Sequence, residues 1–458
     1  MHRVQNWWNQ ACGPREILAI ALPLIISTIS YTVMQFCDRM FLSWYSTEAL
    51  AAVLPAGAIF WTLCSLPFGV TTYCSTFVAQ YHGAKRDSNI GPIVWQAIWL
   101  GILAAPIYLL IGVFGESLFL LSGHEPEFAE LENDYLLASM FGAGAFFLDS
   151  ALSAFFIGRG KTVVVMLVNF VGTAINIVLD YLLIFGCGEL PELGLWGAGL
   201  ATSVALWAKV AILGFLFFRA DNGRFGHRHH WQLNVRLLGR LLKFGLPNGM
   251  QFLVEGVAIT FFFLVIPRIS ELASAASSIV FSINMLAFYP VIGLGIGCST
   301  LVGQKIGEQQ TSLASRAAWN SFALGMIYTI PFAICYVAIP DFFIQPHSIE
   351  SADFDQIRGL VVLYLRFVAL YCLFDVVQII FVSAVKGAGD TRFVVLITLL
   401  TGILFILTGV TGAKSFADPL GQVNWWWICL TGWIFALGAT YLLRFLQGKW
   451  KRMTVIER

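Results

Sequence analysis

The sequence predicts an all-α polytopic membrane protein whose twelve transmembrane helices form two pseudo-twofold related six-helix bundles. Three observations carry that reading. Hydrophobic residues fill 58% of the 458 positions and charged residues 12%, too little polar surface to cover a water-soluble globule of this length. Twelve apolar stretches reach the ~20 residues that a helix needs to cross ~30 Å of hydrocarbon. The two halves also repeat each other. At an offset of 224, Pro23 pairs with Pro247, Gly69 with Gly293, Ser75-Thr76 with Ser299-Thr300, Gln80 with Gln304 and Gly83 with Gly307; at 229, Gly158, Gly160 and Thr162 pair with Gly387, Gly389 and Thr391.

In chain order the spans of the first half fall at 17–43, 53–79, 93–115, 135–157, 163–185 and 195–218. Those of the second fall at 240–267, 274–302, 317–339, 358–384, 392–412 and 423–445. A barrel is excluded because its strands would be about ten residues long and would alternate polar with apolar. The first span runs without a small-residue cleavage site into Cys37-Asp38-Arg39, so it reads as a retained helix and not a signal peptide. Nine scattered cysteines form no CxxC or metal spacing and read as small packing residues.

Charge divides the connections between two sides. The termini and the even-to-odd connections carry 21 of the 27 basic residues, among them Lys85, Arg86, Arg159, Lys161, Arg240 and Lys386. The opposite connections carry Glu125, Glu127, Glu130, Glu192, Asp341 and Asp355. The basic side is expected to be cytoplasmic, with both termini on it, in a cell inner membrane. The domains expected are an N-terminal lobe at 1–218, a cytoplasmic linker at 219–239 and a C-terminal lobe at 240–458. The linker's basic residues are read as topology and lipid-headgroup contact and not as a nucleic-acid patch, and His229-His230 as a solvated pair and not a metal site.

The chemistry has to come from charges that hydrocarbon excludes. Asp38, Asp149, Asp180, Glu255 and Asp375 fall within spans, where an acid facing lipid costs several kcal/mol; such residues usually face a bundle interior or an aqueous cavity. Asn176 and Asp180 lie one turn apart on one helix face and offer oxygens to a small hard cation, or a carboxyl that exchanges a proton. Tyr31, Gln35 and Asp38 make a polar stripe on the first span, and Tyr371, Asp375 and Gln378 another on the tenth. A cation between Glu255 and Asp375 would account for both charges, with a fixed hydrogen-bond network as the alternative in each half. Asp149 lines a cavity or packs helices.

Lys209, in the sixth span, either snorkels or neutralises a first-half acid, and an ammonium near Asp180 would compete with sodium there. Arg366 raises the same question nearer a span end. Pro23 and Pro247 open the first helix of each half, where proline bends a helix or improves its packing. The Trp425-Trp426-Trp427 run reads as an interfacial anchor and not a ligand cage. The acids do not repeat: Glu255 corresponds to Tyr31, Asp38 to Phe262, Asp180 to Gly409, Asp375 to Phe146 and Gln378 to Asp149. The duplicated scaffold therefore carries different polar chemistry in each half.

These segments in their order resemble the multidrug and toxic compound extrusion (MATE) family, over about residues 15–445. The pieces that carry the resemblance include ALPLIISTISYTVMQFCDRMFLSWYSTEALAA at 21–52, NIVLDYLLIFG at 176–186 and GLWGAGLATSVA at 194–205. In the second half they are LKFGLPNGMQFLVEG at 242–256 and FDVVQIIFVSAVKGAGDT at 374–391. The resemblance implies a secondary antiporter that exports amphipathic organic cations in exchange for protons or sodium ions by alternating access. It implies a first-lobe coupling cluster of Asp38, Asn176 and Asp180 with Thr202 behind it, a second-lobe pair of Glu255 and Asp375, and bending at Pro23. The remaining polar residues above are cavity or secondary positions.

No cofactor is expected, nor a metal beyond a coupling sodium ion as the alternative to protons; the partners expected are organic cations and membrane lipids but no nucleic acid, and the monomer is the expected working unit. A lipid or lipid-linked glycan flippase is the alternative function and a non-transporting receptor a remoter one. GRGKT at 158–162 lacks phosphate-loop spacing, so ATP hydrolysis and enzymatic activity are not expected.

Overall fold

The computed structural model describes residues 2–121, 125–186, 191–220, 223–226, 230–347 and 354–457, so His229 lies outside the described residues. Sixteen α-helices run along them and no strand. They are α1 (His2–Asn9), α2 (Pro14–Tyr45), α3 (Thr47–Gly83), α4 (Ile90–Val113), α5 (Gly115–Leu121), α6 (Pro126–Met140), α7 (Ala143–Gly158), α8 (Thr162–Phe185), α9 (Gly194–Arg219) and α10 (Val235–Ile269). There follow α11 (Glu271–Gly307), α12 (Thr311–Ala338), α13 (Pro340–Ile344), α14 (Phe354–Ala388), α15 (Thr391–Ala413) and α16 (Pro419–Leu446). Twelve segments are long and apolar enough to cross a membrane, matching the twelve expected. Their apolar residues stay exposed at helical spacing, as at Leu103, Ile107 and Leu110 on α4 and Leu400, Leu404 and Leu407 on α15. A surface bathed in hydrocarbon has no reason to bury them.

The fourth span differs from expectation. It runs from Pro126 to Gly158 and breaks at Phe141-Gly142 into α6 and α7. Gly142 is packed so closely on α9 that a Cβ there would lie 2.6 Å from Ser203 Oγ. The Trp207 indole on α9 donates to the Phe141 carbonyl at 3.1 Å, giving a partner to an acceptor that the break releases inside the span.

The chain forms two compact units. The N-unit comprises Ile26–Leu253 with Gly307–Gln309 and Val455–Arg458; the C-unit comprises Met1–Ile25, Val254–Ile306 and Gln310–Thr454. The divisions fall inside α2 and α10, shortly after Pro23 and Pro247, and not at the 219–239 segment. Both helices run unbroken through their prolines.

The internal repeat is visible as repeated contacts. In the N-unit Gly158 packs on the Ser75 carbonyl, and in the C-unit Gly387 packs on the Ser299 carbonyl; a Cβ at either glycine would stand 2.6 Å from that oxygen. Gly69 on α3 lies against Gly249 on α10, with Asn248 Nδ2 donating to the Gly69 carbonyl at 2.7 Å. Its counterpart Gly293 on α11 lies against Ile25 on α2, the position equivalent to Gly249; a Cβ at Gly293 would reach the Ile25 nitrogen at 2.9 Å. Side-chain-free positions recur wherever two helices cross at backbone distance.

The described part of the 219–239 segment belongs to the N-unit and lies along it. Arg224 pairs with Asp87 at 2.6 Å, Phe225 is buried against Phe155 at 5.3 Å, and the Phe225 carbonyl accepts from the Gly91 amide. Gln96 on α4 donates to the Gln232 carbonyl and accepts from the Asn234 amide, so this connection is a docked strap.

Candidate functional site

In the N-unit three of the first-half polar residues lie together. Asp38 from α2 and Asn176 and Asp180 from α8 are all buried. Asp38 interacts with both Asp180 and Asn176, and a contact between two carboxyls is a hydrogen bond only when one of them holds a proton. Asn176 Nδ2 donates to Thr202 Oγ1 on α9 at 3.2 Å, which turns the amide oxygen towards the acids. Four buried oxygens there, Asp38 Oδ1, Asn176 Oδ1, Asp180 Oδ1 and Asp180 Oδ2, accept no hydrogen bond. Acceptors from three side chains therefore lie together there without a donor, the kind of group that a burial cost makes notable.

The rest of the first polar stripe is bonded to itself. Gln35 Nε2 donates to the exposed Tyr31 hydroxyl at 2.7 Å. Tyr135 on α6, which sequence reasoning did not single out, stands in the electrostatic field of Asp38, Asp180 and Tyr31. Nothing in its spacing marks it, because it enters from the half of the fourth span that the break re-aims.

Lys209 does not sit on Asp180. Its ammonium pairs with Asp149 Oδ2 on α7 at 2.9 Å, with each side chain 16% exposed. Gly172 on α8 makes room for the lysine stem, since a Cβ there would meet Lys209 Cδ at 2.5 Å and Cγ at 2.6 Å. Asp149 is therefore half of a partly buried ion pair, and the acid that Lys209 meets is not one of the coupling candidates.

In the C-unit Asp375 and Tyr371 are buried one turn apart on α14 and interact electrostatically, and Asp375 also feels Glu255 from α10. Glu255 further acts on Lys386 at the end of α14 and on Tyr441 of α16, whose hydroxyl lies 2.7 Å from Thr398 Oγ1. Lys386 was read as a topology charge. Its distance of three turns from Asp375, which puts both on one face of α14, is the signal that could have found it. Gln378 is half-buried one turn beyond Asp375, where its backbone meets Gly438 of α16.

The tryptophan run is not an interfacial anchor. Trp426 and Trp427 are 1% and 0% exposed. Trp427 stacks on Tyr364 at 4.9 Å and packs on Phe262 at 5.6 Å, while Trp426 packs on Phe405 at 5.7 Å and covers Gly409. Trp425 donates to the Thr408 carbonyl. Gly409 gives Trp426 its space and Gly412 gives Trp425 its own; Trp426 and Trp427 are core of the C-unit, with Trp425 packed against it.

The MatE family model matches residues 23–182 and 247–411, two segments that begin at the paired prolines. The chain belongs to the MatE family. Its curated relatives include a multidrug resistance protein MdtK from Edwardsiella ictaluri, 26% identical over 98% of this chain and 97% of that one. A probable multidrug resistance protein NorM from Xanthomonas axonopodis pv. citri is 26% identical over 81% of each chain. Among solved structures, a MATE transporter in complex with MaL6 superposes with a TM-score of 0.86 at 20% identity, covering 98% of this chain and 99% of that one. MatE membership makes the chain a multi-pass membrane transporter and not an enzyme.

Proposed function

We propose that this MatE protein is a secondary antiporter that exports amphipathic organic cations in exchange for protons or sodium ions. It would reside in the inner membrane with both termini cytoplasmic, and work as two six-helix lobes joined by the 219–239 segment. The observation that carries this reading is the group of four donor-free oxygens on Asp38, Asn176 and Asp180, which an exchangeable cation or proton would satisfy. Relatives named for multidrug resistance support the cargo class.

Coupling requires the ion to bind one conformational state better than the other, because equal affinity shifts nothing. In the working cycle an organic cation enters from the cytoplasmic side and an external ion then binds the acids. Binding favours the state that releases cargo outwards. Glu255 and Asp375 form a second acidic locus, where Lys386 already supplies a positive charge. A flippase for anionic headgroups would need unpaired cations in its cavity, and Lys209 is paired with an acid in this structure while Arg366 is exposed.

The test is efflux of a fluorescent organic cation from proteoliposomes under separately imposed proton and sodium gradients, with Asp38→Asn and Asp180→Asn beside the parent. Gradient-driven flux that both variants lose, with membrane insertion intact, is the expected result. Full flux in both variants would remove these acids from the coupling role.

A further inference from the structure

Asp149–Lys209 lies beside the candidate ion site and has no place in the cycle above. Gly172, Asn176 and Asp180 recur every four residues on α8 and are all buried, so they line one face. The Lys209 stem lies on the first of the three. Asn176 is one turn further, about 6 Å along the axis, which is within the swing of a four-carbon lysine stem. The two helices that carry the site converge on that path. Helical side chains lean towards the helix N-terminus, so Lys209 on α9 leans towards Thr202, the residue bonded to Asn176, and Asp180 on α8 leans back towards Asn176. Acceptors wait at both ends: the four oxygens of the cluster, and Asp149 Oδ1, which is also buried without a donor.

The other half supplies an independent comparison. Offset by 229, Asp149 becomes Gln378 and Lys209 becomes Gly438. There α16 rests directly on α14, with a Cβ at Gly438 standing 3.2 Å from the Phe374 carbonyl and 3.5 Å from the Gln378 nitrogen. The half in which Phe262, Phe405 and Gly409 stand at the positions of Asp38, Asn176 and Asp180 also lacks the lysine, although the same two helices cross at the same place. The crossing itself therefore needs no ion pair.

We propose that Lys209 is a tethered cation that alternates between Asp149 and the Asp38–Asn176–Asp180 cluster, competing there with the transported ion. When the ammonium is on Asp149 the cluster is open to a proton or sodium ion; when it moves to the cluster it expels that ion and holds the site neutral for the return step. Asp149 is the parking position, and Gly172 is the passage. The charged and titratable groups around the swing are Asp149 on α7, Asp180 on α8, Tyr31, Cys37, Asp38 and Arg39 on α2, and Tyr135 on α6.

The proposal rests on the coupling reading of the cluster, and its test separates the two. The full-length protein is reconstituted, and ethidium transport is followed against external sodium at equal pH and against external protons without sodium. Lys209→Met removes the competitor, so the half-saturating concentration of the driving ion falls about tenfold, within the usual range of coupling between interacting sites. Asp149→Asn removes the parking position, drives the ammonium onto the cluster and raises that concentration by a similar factor. The double variant returns to the Lys209→Met value.

An ion pair that merely braces α7 against α9 would shift both single variants in the same direction or leave ion dependence unmoved, and either result overturns the proposal. Should Asp149→Asn not insert, Lys209→Met decides alone, and an unchanged or raised value refutes competition. Wild-type ion dependence in Asp180→Asn would instead sink the coupling reading, and the lysine's role with it.

Discussion

The place that Asp38, Asn176 and Asp180 occupy in the N-unit is held in the C-unit by Phe262, Phe405 and Gly409, the last roofed by the Trp426 ring. Tyr135 beside the acids corresponds to Tyr364, stacked on Trp427. The exchange also runs the other way. Asp375 of the C-unit corresponds to Phe146 of the N-unit, which stacks on Phe68 at 4.5 Å and packs against Phe60 and Trp61. One duplicated scaffold therefore holds a polar locus and an aromatic plug in each half, at interchanged positions. What was retained is the crossing geometry set by glycines; what diverged is the content of two lateral slots. A buried acid is costly and a packed indole is not, so each half carries that cost at a different slot.

The largest effect should come from forcing the slots to be alike. Gly409→Asp puts a carboxylate against the Trp426 ring, where a Cβ already overlaps it. Overpacking and an unpaired buried charge together should cost more than about 4 kcal/mol, and the variant should be lost from the membrane fraction by fluorescence-detected size exclusion. Normal yield would mean that the C-unit slot tolerates an acid and that the asymmetry is accidental.

The reverse replacement should behave differently. Asp180→Leu removes an acid from hydrocarbon surroundings, so thermal stability should hold or rise, while gradient-driven flux falls about a hundredfold. If stability and flux fell together, the cluster would be structural.

A smaller effect tests whether the scaffold is symmetric. Gly158→Ala and Gly387→Ala drive a methyl against equivalent carbonyls of Ser75 and Ser299, and each should cost about 1–3 kcal/mol. The two costs, read as shifts in thermal midpoint, should match each other more closely than either matches any other glycine in the spans.

The smallest effect lies outside the spans. Arg358 makes two hydrogen bonds to the exposed Asp341, at 2.7 and 2.8 Å, and these hold its carboxyl below the usual aspartate range. The pair therefore contributes its slight stability above the ordinary aspartate pKa and loses it as pH falls through the depressed one. Arg358→Gln should remove that acid-limb dependence from the thermal midpoint and leave the neutral value almost unchanged.

Much of this was legible before any coordinates. Apolar run length yielded the twelve spans, and the paired glycines marked the crossings, because both signals are local and survive duplication. The break at Phe141-Gly142 was not legible, since a glycine within an apolar run reads the same whether or not Ser203 presses on it. Trp426 and Trp427 misled because consecutive tryptophans near a span end suit an interface equally well. Only the glycines at 409 and 412, on another helix, decide for the core. The acids were found by their cost in hydrocarbon, but the partners of Lys209 and Lys386 depend on which helix faces which. Spacing along one helix can mark a face and not what lies across from it.

The opening helix of each half ends its packing in company that the chain makes much later or much earlier. Ile25 packs on Gly293, 268 residues downstream. At about 5–20 residues per second the nascent chain waits roughly 13 to 54 seconds between the two. The N-unit likewise waits for Gly249 to meet Gly69, and for Val455 near the far end of the chain to meet Gln80. A gene cut between the halves would yield two polypeptides, each lacking a segment of its own core and carrying a surplus one. Biogenesis therefore favours a single fused reading frame here over two half-length subunits, and the translocon must hold early helices loosely until their late partners arrive.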